Sequence, residues 1–195
     1  MKFFVLGLAL FLSGCSLWNM VGGNMLRTNW EIEKIVVDGK EYLSPQSLKA
    51  QAISVLEAKE KNTQDNSFDN YLPEANPQEN TALPQSEDMP QNPNKEAIKE
   101  NEFLSIKEVA TMVFDQTQNR IYGTAACNTY FASYTWKDTK HLEVGNTGMT
   151  RKLCDPDELM GFEFRFMRNF NGMFTVTQDK TSMILDNGKM QIYLQ

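Results

Sequence analysis

The sequence predicts an α+β fold: a curved, mostly antiparallel β-sheet packed on one main helix, with a long disordered insertion. Three observations carry this. Short runs of alternating apolar and polar residues fill the stretches from Trp30 to Tyr42 and from Val109 to Leu194. A single run after Pro156 has helical period instead. Between the first runs lies a segment, about 44–105, that holds six of the seven prolines and none of the glycines.

The chain begins MKFFVLGLALFLSGCS, with one positive charge at Lys2 and an apolar run from Phe3 to Leu12. The run is too short to span a bilayer and has the layout of a secretory signal. Its ending, Leu12-Ser13-Gly14-Cys15, resembles the bacterial lipobox. That resemblance implies a signal peptide over 1–14, diacylglycerol on the Cys15 thiol, cleavage before Cys15 and an acyl chain such as palmitate on the new N-terminus. Ser16 in place of aspartate implies sorting to the outer membrane, with the domain facing the periplasm or the cell surface. Residues 15–27 read as a lipidated N-terminus and flexible tether.

Cys127 and Cys154 remain. An even pair in an exported, oxidising compartment reads as a disulfide. It closes a loop of about 28 residues and contributes roughly 3–4 kcal/mol in the chain-entropy model. No metal site is expected, because these two cysteines and the sole histidine, His141, have no zinc spacing.

WEIEKIVVDGKEY reads as a first hairpin, turning at Asp38-Gly39. The segment at 44–105 contains five lysines and eleven acidic residues, which account for the whole net charge of -6. Its opening, SPQSLKAQAISVLEAKEK, places Leu48, Ala52, Val55 and Leu56 at helical spacing after Ser44-Pro45. Its end, NKEAIKENEFL, allows another helical turn. Its centre, 62–94, is rich in Asn, Gln, Pro and acids and reads as disordered. The acidity argues against nucleic acid and anionic membrane surfaces as partners.

VATMVFD and NRIYGTAA follow as strands around Gln116–Asn119. TYFASYTW alternates Tyr130, Ala132, Tyr134 and Trp136 on one face. HLEVG then leads to an expected turn at Asn146-Thr147-Gly148. The helix runs from Pro156 to about Asn169, with Asp155 as expected cap and Glu158 completing a capping box. Leu159, Phe162, Phe166, Met167 and Phe170 form its apolar stripe. MFTVTQ, SMILDN and MQIYL close the chain as strands. Without the insertion, 28–43 and 106–195 leave about 106 residues, enough for one core.

ATMVFDQTQNRIYGTAACNTYF, HLEVGNTGMTRKLCDPDEL and SMILDNGKMQIYL together resemble the META domain of HslJ-like bacterial proteins. Phe114, Gly123, Cys127, Asn128, Thr150, Arg151 and Cys154 fill its motif positions, and Trp30 and Gly39-Lys40 match its first strand. Ala126 and Ala132 stand where many relatives have glycine. The resemblance makes 28–195 one META/HslJ-like domain interrupted by the insertion. It implies an envelope protein of stress response, including heat and novobiocin tolerance, and makes Asn128, Thr150 and Arg151 a family-motif surface.

No catalytic residue and no cofactor is expected: the sequence has no G-x-S-x-G, H-E-x-x-H or phosphate loop. The expected function is a membrane-anchored binding or stress-response lipoprotein. Its expected partners are the membrane through Cys15 and an envelope protein or small molecule. The competing expectation is a periplasmic hydrolase or other enzyme using a small polar site near Asn128 and Arg151.

Overall fold

The computed structural model describes residues 27–65 and 93–195. The expected leader, Cys15 with its tether up to residue 26, and most of the stretch expected to be disordered lie outside the described residues. The described chain forms β1 (Asn29–Val37), β2 (Lys40–Leu43), α1 (Pro45–Asp65), α2 (Pro93–Leu104), β3 (Thr111–Asp115), β4 (Arg120–Thr124), β5 (Thr129–Trp136), β6 (His141–Met149), α3 (Asp157–Asn169), β7 (Gly172–Gln178), β8 (Met183–Asp186) and β9 (Met190–Leu194).

Every strand pairing is antiparallel, and β3 to β9 neighbour one another in chain order. β1 then closes the circle. One of its edges pairs with β9 through Ile32–Val37, while Asn29–Glu31 on the other edge pair with β3. β1 and β3–β9 therefore make an eight-stranded closed barrel, with β2 attached to β1 outside the closure. The antiparallel pairing is as expected, and the closure corrects the expected curved sheet packed on one helix. The reason is that first and last strands both alternate, and pairing them removes two edges at once. Glu31 and Gln195 exchange both backbone hydrogen bonds at 3.0 Å to seal the seam.

Alternation decides which side chains fill the barrel. Trp30, Met112, Phe114, Ile121, Tyr130, Ala132, Tyr134 and Leu142 are all buried. The β1–β9 register shifts between Ile32 and Lys34, so Ile32 and Ile35, three apart, both point inward. At Asp38 and Gly39 both φ angles are positive, 51° and 76°, the pattern of a two-residue hairpin turn. Gly123 is required by close approach: a Cβ there would run into the carbonyl of Thr111.

The expected turn at Asn146–Gly148 is a bulge instead. β6 continues to Met149, and Gly145-to-Gly148 faces only Ser133-to-Phe131 on β5. Asn146 takes φ 48° to absorb the extra residue. Positive-φ residues and glycines mark bulges and turns alike, which is why the sequence misled.

α3 and its C-cap residue Phe170 place Leu159, Phe162, Phe166 and Phe170 in the core, and Met167 packs at its border. Phe166 and Phe170 stack at 4.7 Å, and Tyr130 of β5 meets both edge-on at 4.9 and 5.6 Å. Edge-to-face pairs of this kind add to simple area burial. The capping box does not form. Pro156 is the cap, its carbonyl accepts from Leu159 N at 2.9 Å, and no side chain caps the helix. Glu158 turns instead to Lys99 of α2, at 2.8 Å.

The flanks of the insertion are more helical than the sequence suggests. α1 continues to Asp65 and α2 starts at Pro93, reaching into both ends of the stretch expected to be disordered. Lys59 and Glu100 bridge the two helices at 2.6 Å. Ser44 caps α1, accepting from Ser47 N at 3.3 Å, with Pro45 in the first turn. α1 also seals the fork where β3 and β2 diverge along β1. The Gln46 amide donates to Ile32 O at 2.8 Å and accepts from Ala110 N at 2.9 Å, as a strand would. Ala52 is buried beneath the helix, but Val55 of the expected stripe is exposed.

The β7–β8 turn offers a first test. Asp179 accepts from the backbone of Thr181 and Ser182, each at 2.7 Å, and from the Ser182 hydroxyl. These bonds hold its carboxyl down at about 2. The folded value lies below the unfolded one, so this turn's contribution is present above the ordinary aspartate range and is lost as pH falls through about 2. An NMR pH titration should find Asp179 ionised down to that value; titration near 4, the ordinary aspartate range, would contradict these bonds.

Candidate functional site

The motif residues converge where β5, β6 and α3 meet. Cys127 and Cys154 are disulfide-bonded, with Cα atoms 5.9 Å apart. Cys127 lies just before β5 and Cys154 just before α3, so the bond ties the entry of the helix to the barrel.

Asn128 is 1 % exposed, and every polar atom of its side chain is engaged. Its Oδ1 accepts from Lys152 N at 2.7 Å and from the Thr150 hydroxyl at 2.8 Å. Its Nδ2 donates to Lys152 O at 3.0 Å and to Glu163 Oε2 at 2.6 Å. Thr150 Oγ1 also accepts from Thr129 N at 3.1 Å. One amide thus fixes the backbone of the 150–154 segment as a neighbouring strand would.

Glu163 is the residue that sequence reasoning missed. It sits on the buried side of α3, 1 % exposed, four residues after Leu159. Its Oε1 accepts from Asn128 N at 2.8 Å, and its Oε2 lies 3.4 Å from Cys154 Sγ. A carboxylate on an apolar stripe was the available signal, because such a group is buried only with partners. Cys127, Cys154 and Glu163 have their ligand atoms within 4.8 Å of one another. With the sulfurs bonded to each other, that group offers a metal only carboxylate oxygens, which already accept from Asn128.

Arg151 does not join this cluster. Arg151, Lys152 and Leu153 project into solvent, Leu153 at 93 % exposure, so of the expected Asn128–Thr150–Arg151 surface Asn128 is a buried clamp, Thr150 an exposed residue bonded to it, and Arg151 has no ion pair among the described residues. His141 pairs with Asp138 at 2.7 Å in the exposed β5–β6 turn, far along the strand from the cysteines.

Two clefts flank the first turn of α3. One, of about 350 Å³, lies between α2 and the 155–158 segment and is lined by Lys99, Glu102, Ser105, Asp155, Asp157 and Glu158. The other, of about 520 Å³, is lined by Glu41, Tyr42, Leu43, Leu48, Gly161, Phe162 and Arg165. Asp157 and Glu158 border both. The insertion supplies the opposing wall through Leu48 of α1 and Lys99, Glu102 and Ser105 at α2. Arg165 lies 4.2 Å above the Tyr42 ring, where its charge is held by the π-face. Burial opposes ionisation of Glu158 most strongly, but the hydrogen bond from Lys99, the residue's own backbone N–H and the Lys99 charge together outweigh it and keep the carboxyl below its usual range. Glu102, Asp155 and Asp157 have no ion pair among the described residues. The first cleft is thus mostly acidic, and the second sets Glu41, Asp157 and Glu158 beside Tyr42, Leu43, Leu48 and Phe162.

The family model described as META domain matches residues 94–195. No curated protein matches the chain. A solved structure described as an NMR structure of the protein from Burkholderia xenovorans is 16% identical, covering 86% of this chain and 80% of that one, with a TM-score of 0.44.

Proposed function

The chain belongs to the META-domain family, and from that premise we propose a non-catalytic binding protein of the cell envelope, anchored by lipid on Cys15 and serving stress tolerance. The observation that carries this reading is the paired cleft around the start of α3. The motif residues hold that helix in place, while its outward side and the insertion helices form the walls. Acids beside Tyr42, Leu43, Leu48 and Phe162 suit an amphipathic cation, a small molecule or a segment of an envelope protein.

A panel of amphipathic cations scored by melting temperature tests this. A ligand at about a hundred times its Kd adds about 2.7 kcal/mol of stability. The expected result is a concentration-dependent rise for the wild type that the double variant Glu102→Gln/Asp157→Asn loses. A rise of equal size in both would place binding elsewhere.

A further inference from the structure

The barrel exterior carries one aromatic face that the cleft does not use. Tyr122 on β4 and Phe131 on β5 are direct cross-strand partners, 46 % and 44 % exposed. The Phe131 ring lies flat over Gly148 of β6, where a Cβ would come within 2.6 Å of it. Arg120 extends over the same ring, 5.4 Å from its centroid. The register continues this outward row through Val113 to Asn29, at the start of β1. The described chain therefore enters the barrel three strand spacings, about 15 Å, from Phe131, and Arg27 stands at that entry.

We propose that the Tyr122–Phe131 face rests on the anionic headgroup surface of the bilayer that holds the Cys15 lipid. The proposal rests on the lipid-anchor reading. Only residues 16–26 separate Cys15 from Arg27, a reach of at most about 40 Å. Leu17, Trp18, Met20, Val21, Met25 and Leu26 make that link largely apolar. A short link to one corner of the barrel brings the adjoining face to the membrane first. Tyr and Phe are suited to the headgroup level, and Arg27 and Arg120 are attracted to anionic lipid. The acidic insertion is repelled by the same surface, so the two charge regions together favour poses with the insertion held off it.

The test is hydroxyl-radical footprinting of the full-length protein on phosphatidylglycerol/phosphatidylethanolamine vesicles, compared with detergent micelles. Phe164, 62 % exposed on α3, is the internal control. It shares a cleft with Asp38 and Lys189, at the opposite end of β1 from Asn29. Oxidation of Tyr122 and Phe131 should fall several-fold on the vesicles while Phe164 is unchanged, and Arg120→Ser should weaken the protection. Mass analysis of the N-terminus reports separately whether Cys15 is acylated; a chain without acyl groups is added to the same vesicles, and the face is read in the same way. Unchanged oxidation of Tyr122 and Phe131 in either form overturns the proposal. So does equal protection in micelles at raised protein concentration, which would mark the face as a contact between copies of the chain.

Discussion

Asn128→Ala is expected to destabilise the protein by about 3–5 kcal/mol, because it leaves several buried polar groups, one of them a carboxyl, short of partners at about 1–3 kcal/mol each. Alanine removes the Nδ2 donor to Glu163 and both hydrogen bonds accepted by Oδ1. Glu163 stays 1 % exposed with a single remaining donor, Asn128 N. Lys152 N and the Thr150 hydroxyl also lose their partner, so the 150–154 segment is released. Unsatisfied buried groups incur their full desolvation cost, whereas replacing both partners with apolar groups is far milder. Asn128→Ala/Glu163→Leu should therefore lose clearly less than the two single variants summed. Urea unfolding with unchanged slope measures both; an additive cycle would show that the two side chains are not coupled.

Breaking the disulfide has the second large effect. Replacing Cys127 and Cys154 by serine should lower stability by about 2–5 kcal/mol, since the loop they close spans 27 residues of sequence separation. Alkylation of protein taken from the envelope should find no free thiol and one linked Cys127–Cys154 peptide. The bond and Asn128 fasten the same segment, so their losses should not add. Two freely alkylated thiols would contradict the arrangement.

Much of the barrel was legible because its signals are local. Alternation put Trp30 with Ile32, and Tyr130 with Ala132 and Tyr134, on the faces that turn out to be inside, and Asp38-Gly39 marked its hairpin turn. The stripe of α3 was legible for the same reason. Closure was not, because β1 and β9 lie at opposite ends of the domain and no local pattern reports which distant edges meet. The bulge at Asn146 was hidden by residues that serve turns equally well. At the site, the disulfide followed from cysteine arithmetic and Asn128 and Thr150 from the motif resemblance. Their role as clamps did not, since it depends on Glu163 arriving from a helix 35 residues away. The clefts were not foreseeable either. They exist because α1 and α2 pair and lie against α3 through Lys99 and Glu158, a contact across 59 residues.

The central claim is that the motif residues fasten the start of α3 while the cleft between α3 and the insertion does the binding. Site-specific photo-crosslinking in intact cells tests it most directly. A photoreactive residue at Glu102, on the cleft wall, is compared with one at Thr135, exposed on the barrel exterior. Intact-protein mass and gel shift then report small-molecule and protein adducts alike. The account predicts adducts from position 102 that are absent from position 135 and that diminish when Asp157 is replaced by asparagine. Equal labelling from both positions, or none from 102 under stress, would contradict it.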